Sequence, residues 1–521
     1  MGTIVFKDVE RLSRVGMISA LYARQKPESV AVYAGGETRS FADLHARANQ
    51  LARRFQRAGL KPGDGLAFIC RNRIEWIEIH LAALRSGLRV TPVNWHLTGP
   101  EIAYIVEDCE ARGLIAEAQF ATATTQALNA RVSLRLVIGG EIQTFESYED
   151  ALAGELPNDP ESPCLGTTMI YTSGTTGRPK GVYRAPQPVL PMLDGSIPDF
   201  RPATDVSLCC GPAYHGGPLS FDVRAPHVSG VPIVLMQRFD PEEALALIEQ
   251  RRVTHTHMVA TMFQRLLALP AETRARYDTS SLRKVFHGAA PTPPHVKRAM
   301  IDWLGPVIVE YYAATEGQGG FYISSEEWLE RPGSVGRLLP EHGARILNAA
   351  GEPCRLGEVG FIYFSNNPVA PFSYFKDAEK YRDAARGDHF TVGDMGYVDE
   401  DGYLFLTGRT AECIISGGVN IYPQEVDNVI LQHPAVVEVC TIGVPNDEWG
   451  EEVKSVVVVA EGIEANAALA TNILTFARRE LAGFKAPRSV DFVASLPRME
   501  SGKIQRQRVR EPYWATRERS I

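Results

Sequence analysis

No stretch of the 521 residues reaches 18 uninterrupted apolar positions, so the sequence predicts no membrane-spanning helix. The segment from Met1 to Glu10 lacks a basic stretch followed by an apolar run, and no secretory leader is expected from it. Phe6 stands where a myristoylation signal needs Ser or Thr. The eight cysteines (70, 109, 164, 209, 210, 354, 413 and 440) include no CxxC pair, and no histidine lies at zinc-finger spacing. Reduced, mostly buried thiols are therefore expected in place of a disulfide framework or zinc site. Positive charge is also in deficit: 54 Lys plus Arg against 62 Asp plus Glu gives a formal net charge of −8. That balance argues against a nucleic-acid partner and against bulk attraction to an anionic membrane, while leaving local peripheral contact open. The expected compartment is the cytoplasm, and the expected state a monomer or homodimer.

What is present is the balance of a globular protein, 45% hydrophobic and 22% charged. The length suits three or four domain-sized units with several cores. Ser40 to Gly59 reads as one amphipathic helix: Ser40 and Asp43 form a capping box, and Phe41, Leu44, Ala48, Leu51 and Phe55 recur at helical spacing. A strand at Leu66–Cys70, a helix at about Ile74–Ser86 and a strand at Val90–Val93 follow. Strands recur near Ser207–Cys210, Val231–Met236, His255–Val259 and Lys284–His287. This alternation predicts an α/β fold of layers with a largely parallel sheet. Beyond about residue 340 the strands shorten and Gly and Pro become frequent, as in Gly357–Ser365 and Gly402–Thr407, which predicts a β-rich subdomain over about 340–408. A small α+β C-terminal domain is expected over 409–521, with a helix near Gln424–Leu431, a strand at Val453–Val459 and a helix near Ala468–Leu481. The larger N-terminal domain then spans 1–408.

The strongest local signal is the run from Tyr171 to Val182, YTSGTTGRPKGV. Glycines at 174, 177 and 181 let backbone N–H groups approach phosphate oxygens; Thr172, Ser173, Thr175 and Thr176 add hydroxyl donors, and Lys180 adds charge. No Gly-Lys-Ser/Thr closes the loop, so it is not a Walker A motif. Further segments follow in order: Tyr312-Ala-Ala-Thr-Glu-Gly317, Thr391-Val-Gly-Asp394, Gly402 to Arg409, Ile415 to Glu425 and Pro497 to Ile504. Together with the first they resemble the phosphate loop, adenine and magnesium segment, ribose-binding core, C-terminal-domain opening and C-terminal lysine motif of the adenylate-forming superfamily. That superfamily holds acyl-CoA synthetases, adenylation domains and firefly luciferase. The resemblance runs from about residue 40 to 506.

The resemblance implies an AMP-forming acyl-CoA synthetase, with ATP and CoA as cosubstrates and Mg²⁺. A carboxylate attacks the α-phosphate of ATP, so charge must be neutralised and the reacting atoms held in line. Thr172, Ser173, Gly174, Thr175, Thr176, Gly177 and Lys180 would cradle the phosphates, and Glu316 with Thr175 would hold Mg²⁺ while Thr315 touches phosphate. Gly288, Ala289 and Ala290 would leave room for adenine, Tyr312 would stack on it, and Asp394 and Arg409 would take the ribose. Lys503 would reach the α-phosphate and acyl carboxylate. In the second half-reaction the C-terminal domain would rotate, removing Lys503 and bringing Ser416, Gly417 and Gly418 beside the pantetheine arm. The pivot position, commonly Asp or Lys in this superfamily, is Ala411 here, which points to an altered conformational balance with rotation retained.

His215, in Cys210-Gly-Pro-Ala-Tyr-His-Gly-Gly-Pro-Leu219, resembles a gate beside the acyl carboxylate. The small residues Gly216, Gly217, Gly319 and Gly320 favour a bulky acyl group. The expected substrate is a hydrophobic acid larger than acetate: medium- or long-chain fatty, aryl, alicyclic or steroid-type. Alternatives are a stand-alone enzyme loading a carrier protein, a luciferase-like oxygenase, and a non-catalytic nucleotide-binding regulator. Three other features carry bland readings. Gly317-Gln-Gly-Gly320 is an incomplete dinucleotide fingerprint, His255-Thr-His257 is a packed strand lacking a third metal ligand, and Val456–Val459 is a buried strand.

Overall fold

The structure is a computed structural model. It describes residues 6–172, 179–191, 197–290, 292–316, 321–338, 343–366, 371–417, 419–499 and 502–515. The helix read from Ser40 is observed at Phe41–Arg57, and the Ser40 hydroxyl accepts the Asp43 N–H at 3.0 Å. Its apolar stripe, Phe41, Leu44, Ala48, Leu51 and Phe55, is buried against a core shared with helix Ile74–Arg85. That second helix has almost no exposed face, because it lies between a parallel sheet and the neighbouring layer.

A six-stranded parallel sheet is built from Glu146–Ser147, Leu134–Ile138, Ala111–Glu117, Gly65–Ile69, Arg89–Pro92 and Thr167–Thr168, in that spatial order. Gly65–Ile69 is buried along its whole length, as expected of a strand covered on both faces. A second, 14-stranded sheet begins with a hairpin pair and continues through parallel strands Ile233–Leu235, Ser207–Cys209, His255–Met258, Lys284–His287 and Ile308–Tyr312. It then turns antiparallel through Phe321–Ile323, Ser334–Leu338, Tyr403–Arg409, His389–Val398, Gly360–Ser365 and Ala344–Leu347. The strands expected to form a β-rich subdomain thus hydrogen-bond continuously into the main sheet. The junction uses Gly336, whose φ is +107° and where a Cβ would lie 2.0 Å from the Tyr322 carbonyl oxygen. Gly336→Ala is expected to cost more than about 2 kcal/mol through strain and overpacking, read as a lowered Tm.

His255 and His257 are packed side chains, as the sequence suggested. His255 Nε2 lies 3.1 Å from the Pro198 carbonyl, His257 Nε2 lies 3.0 Å from the Tyr311 hydroxyl, and no metal cluster forms among the described residues. Val456 and Val457 are buried in their strand, while Val458 and Val459 are half-buried. None of the eight cysteines forms a disulfide, and six of them are buried. No described helix is long and apolar enough to cross a membrane.

After Arg409 a short 3-10 turn, Thr410–Glu412, leads into a five-stranded sheet of Val419–Ile421, Ile414–Ser416, Gly450–Val459, Val436–Asn446 and Ser489–Phe492. Helices Pro423–Ile430 and Ala467–Glu480 supply the rest of this small domain's core. Helix Arg506–Trp514 is tied to it by Arg506, which donates to Asp427 at 2.9 Å and Glu412 at 3.2 Å. The architecture is a large α/β N-terminal domain with a mixed sheet and a small α+β C-terminal domain.

Candidate active site

Open α/β sheets bind ligands beyond the carboxyl ends of their parallel strands. At two such ends, strand Lys284–His287 runs into Gly288, Ala289 and Ala290, and strand Ile308–Tyr312 runs into Ala313 to Glu316. A Cβ at Gly288 would lie 2.6 Å from the Tyr311 carbonyl oxygen, so only glycine lets the two segments lie this close. Ala289 takes φ +65°, a conformation an L side chain adopts at a cost and one that gathers at binding sites.

Tyr312 is buried against Phe321 and Phe364, and its hydroxyl donates to Asp394 Oδ2 at 2.7 Å. Arg409 Nε donates to Asp394 Oδ1 at 2.7 Å. The hairpin of His389–Val398 with Tyr403–Arg409 fixes this pair, because Asp394 and Arg409 are cross-strand partners. Burial and the neighbouring carboxylate push the Tyr312 hydroxyl pKa well up, so it stays a donor. Each Asp394 oxygen keeps a second lone pair for a ligand hydroxyl.

Lys503 meets this group from the C-terminal domain. Its loop rests on helix Ala260–Leu267: Gly502 has φ +80°, and a Cβ there would lie 2.3 Å from Thr261 Oγ1. Arg498 holds the same turn through the Gly502 carbonyl at 2.6 Å. Among the described residues the Lys503 ammonium has no hydrogen bond or ion pair; Arg409, Glu412 and Asp394 surround it electrostatically. Burial, then repulsion from Arg409, lowers its pKa against the pull of Glu412 and Asp394.

On the phosphate side, Ile170–Thr172 and Lys180–Arg184 pair antiparallel with Thr172 opposite Lys180, so the strands bring both ends of the glycine loop together. Ser173, Gly174, Thr175, Thr176 and Gly177 lie outside the described residues. Lys180 Nζ sits 5.7 Å from the centre of the Tyr374 ring, and its pKa is lowered by burial against the pull of Asp377 and Glu316. Tyr374 donates to Glu316 Oε1 at 3.2 Å, and Arg184 donates to the Glu316 carbonyl at 2.7 Å. Neither Tyr374 nor Arg184 was singled out from the sequence. Arg184 stood in view four residues after Lys180; Tyr374 comes from a distant strand, Phe372–Tyr374, that joins Lys180–Arg184 only in the fold.

Among the described residues His215 Nε2 is buried without a hydrogen-bond partner, and burial pushes the ring pKa down to about 4, so the imidazole is neutral at neutral pH. A Cβ at Gly216 would lie 3.8 Å from Thr315 Oγ1, which places this glycine beside the acidic segment. Gly217 does not open a pocket as expected: a Cβ there would meet Tyr311 Oη at 2.7 Å and His257 Nε2 at 2.8 Å. Phe221 fills the space further, 4.7 Å from both the Phe286 and Tyr311 rings. Gly319 and Gly320 lie outside the described residues. Ser416 and Gly417 are not part of the Lys503 group. Gly417 (φ +56°) donates its N–H to the Trp449 carbonyl at 2.8 Å and lies under the Trp449 ring, 2.5 Å from where its Cβ would be; Gly418 is outside the described residues.

The described residues thus bring together a carboxylate that accepts from Tyr312 and Arg409, and a strand pair that sets Thr172 opposite Lys180. Residues 20–373 match the family model described as AMP-binding enzyme, and residues 425–503 match the AMP-binding enzyme C-terminal domain. The chain belongs to the AMP-binding enzyme family. A feruloyl-CoA synthase of an Amycolatopsis species is 34% identical, covering 94% of this chain and 97% of that one. A fatty acid–[acyl-carrier-protein] ligase of Streptomyces coeruleorubidus is 29% identical over 98% of each chain. The crystal structure of ATP-bound MatB from Rhodopseudomonas palustris superposes with a TM-score of 0.82 at 30% identity, covering 95% of this chain and 99% of that one. The protein is thus an AMP-forming acid–thiol ligase, with ATP and CoA as its cosubstrates.

Proposed function

We propose that this ligase activates a hydrophobic carboxylic acid, of fatty, aryl, alicyclic or steroid type, as acyl-AMP with release of pyrophosphate, and then transfers the acyl group to CoA. The observation that carries the reading is the half-buried Lys503 ammonium, which has no hydrogen bond or ion pair among the described residues and feels the charges of Arg409, Glu412 and Asp394, on a turn packed against Thr261. In this arrangement Lys503 takes the acyl carboxylate and the α-phosphate together and offsets their repulsion. Asp394 and Arg409 hold the ribose. Gly288, Ala289 and Ala290 flank the adenine with Tyr312, and Thr172 through Gly177 with Lys180 cradle the leaving pyrophosphate. Thr315 touches phosphate, and neutral His215 gates the acyl carboxylate.

Glu316 fits a Mg²⁺ ligand, with Thr175 as a second: it is a single half-buried carboxylate among phosphate-facing groups, the donor set of an ion that takes its other oxygens from phosphate and water. Bound there, Mg²⁺ supplies charge neutralisation on the phosphates. The absence of a disulfide among the eight cysteines supports a reducing compartment, and we place the enzyme in the cytoplasm.

Thioester formation uses the same site after the C-terminal domain, 409–521, turns on the Thr410–Glu412 segment and brings Ser416, Gly417 and Gly418 in place of Lys503. Ala411→Pro restricts that turn. It is expected to leave acyl-adenylate formation within about threefold of the parent while removing most transfer to CoA, measured as separate half-reactions. Equal loss of both would place the pivot elsewhere. Loading of a carrier protein is the second reading, favoured by the full-length similarity to the Streptomyces coeruleorubidus ligase. Acid-dependent exchange of labelled pyrophosphate into ATP tests the first half-reaction, and CoA-dependent loss of that exchange with thioester formation separates the two acceptors.

A further inference from the structure

Behind the two strands that lead into Gly288 and Tyr312 lie three buried ionisable groups that the reaction as proposed leaves unused. His287 ends strand Lys284–His287 immediately before Gly288, and Glu310 lies two residues before Tyr312 in strand Ile308–Tyr312. The parallel register sets His287 opposite Glu310. Lys297, on helix Pro294–Leu304, is fully buried and donates to Glu310 Oε2 at 2.5 Å. Its ammonium also stands 4.7 Å from the centre of the Trp328 ring, so a carboxyl group and an aromatic face enclose it. This pair fixes the helix on the strand, because either charge left alone at that depth is strongly unfavourable.

His287 links the pair to the loop. It is fully buried, and burial with the nearby Lys297 charge drives its pKa well down, so the ring is neutral. A neutral imidazole has one N–H and one acceptor nitrogen. Among the described residues Nε2 has no hydrogen-bond partner, and it faces Glu310 Oε2 at 3.6 Å. That oxygen favours the proton on Nε2 and leaves Nδ1 as the acceptor. The Thr292 hydroxyl lies 3.3 Å from Nδ1 and donates to it. Thr292 directly precedes Pro293, whose carbonyl accepts the N–H groups of Val296 and Lys297 to open the helix.

The contact of His287 with Thr292 therefore spans Gly288, Ala289 and Ala290 from one side to the other. Those residues need holding: Ala289 sits at φ +65°, a conformation that persists only where its surroundings impose it.

We propose that Thr292, His287 and the Lys297–Glu310 pair are positioning residues for the adenine of ATP. Glu310 sets the proton on His287, His287 takes the Thr292 hydroxyl, and that contact shapes Gly288 to Ala290 before the base arrives. Preorganisation of this kind adds affinity at the base and none at the phosphates. This rests on the proposed placement of adenine beside Gly288, Ala289 and Ala290, and extends it to the residues behind them.

Calorimetric titration of the full chain with ATP and Mg²⁺, with AMP and with tripolyphosphate tests it. AMP carries the base, and tripolyphosphate carries phosphates alone. Thr292→Val keeps the side chain's shape and removes the donor. It is expected to weaken ATP and AMP about 5- to 10-fold and to leave tripolyphosphate within about twofold. Thr292→Ser returns the hydroxyl and is expected to return both affinities. His287→Phe keeps a ring beside Phe263 and loses both nitrogens. The double variant, His287→Phe with Thr292→Val, is expected to bind no more weakly than the weaker single variant, because both act through one contact. Should His287→Phe not fold, Thr292→Val and Thr292→Ser decide alone. Unchanged AMP affinity in Thr292→Val, equal weakening of tripolyphosphate, or additive effects in the double variant overturns the proposal. The ligase reading is judged apart from this, by acid-dependent pyrophosphate release from the parent.

Discussion

Lys503→Ala is expected to slow acyl-adenylate formation by about two to three orders of magnitude, the usual consequence of removing one preorganised donor from a developing charge. Transfer from a supplied acyl-adenylate to CoA is expected to stay within about threefold, because the proposed domain turn takes Lys503 out of the second half-reaction. The split between half-reactions is the informative readout, since a general loss of folding lowers both. The parent's pH dependence adds a second. Burial and Arg409 hold the Lys503 pKa below that of a free lysine. The ammonium is intact below that lowered pKa and lost above it, so adenylation falls with rising pH earlier than a free lysine would titrate. An alkaline limb that survives in Lys503→Ala would assign the titration to another group.

Asp394→Ala carries the second large effect. The carboxylate is buried and accepts from both Tyr312 and Arg409 at 2.7 Å. Its removal takes away the acceptor proposed for the ribose hydroxyls and leaves the tyrosine hydroxyl buried without a partner. The KM for ATP is expected to rise about 10- to 100-fold, with a smaller change in the KM for the acid. Tyr312→Phe keeps the carboxylate and its arginine, so its effect on the ATP KM is expected to be several-fold smaller. Initial rates over ATP and acid concentrations distinguish the two, and an equal rise in both KM values would mean that Asp394 supports the whole pocket and not the nucleotide.

Much of this site was legible in the sequence because its chemistry sits on short contiguous segments. The helix at Phe41–Arg57 follows from its cap and its stripe, and the parallel strands at Ser207–Cys209, His255–Met258 and Lys284–His287 follow from short apolar runs between helices. Asp394 and Arg409 were both expected at the ribose from two separate segments, and a hairpin makes them partners, since strands joined by a tight turn bring cross-strand residues together.

What stayed hidden depends on pairing between distant segments. Nothing local in Gly360–Ser365 or His389–Val398 says that these strands extend the main sheet; that follows from the antiparallel pairings of Ser334–Leu338 with Tyr403–Arg409 and of His389–Val398 with both neighbours. The Gly216-Gly217 pair looked like open space at both positions, whereas Tyr311 and His257 arrive from two other strands to fill the second.

The measurement that bears most directly on the whole account is product identification by mass after incubation with ATP, Mg²⁺ and a panel of hydrophobic carboxylic acids, with and without CoA. The account predicts acid-dependent AMP and pyrophosphate, acyl-adenylate when CoA is withheld, and the acyl-CoA thioester when it is supplied. ATP binding with no pyrophosphate from any acid would contradict it and leave a nucleotide-binding protein without ligase chemistry.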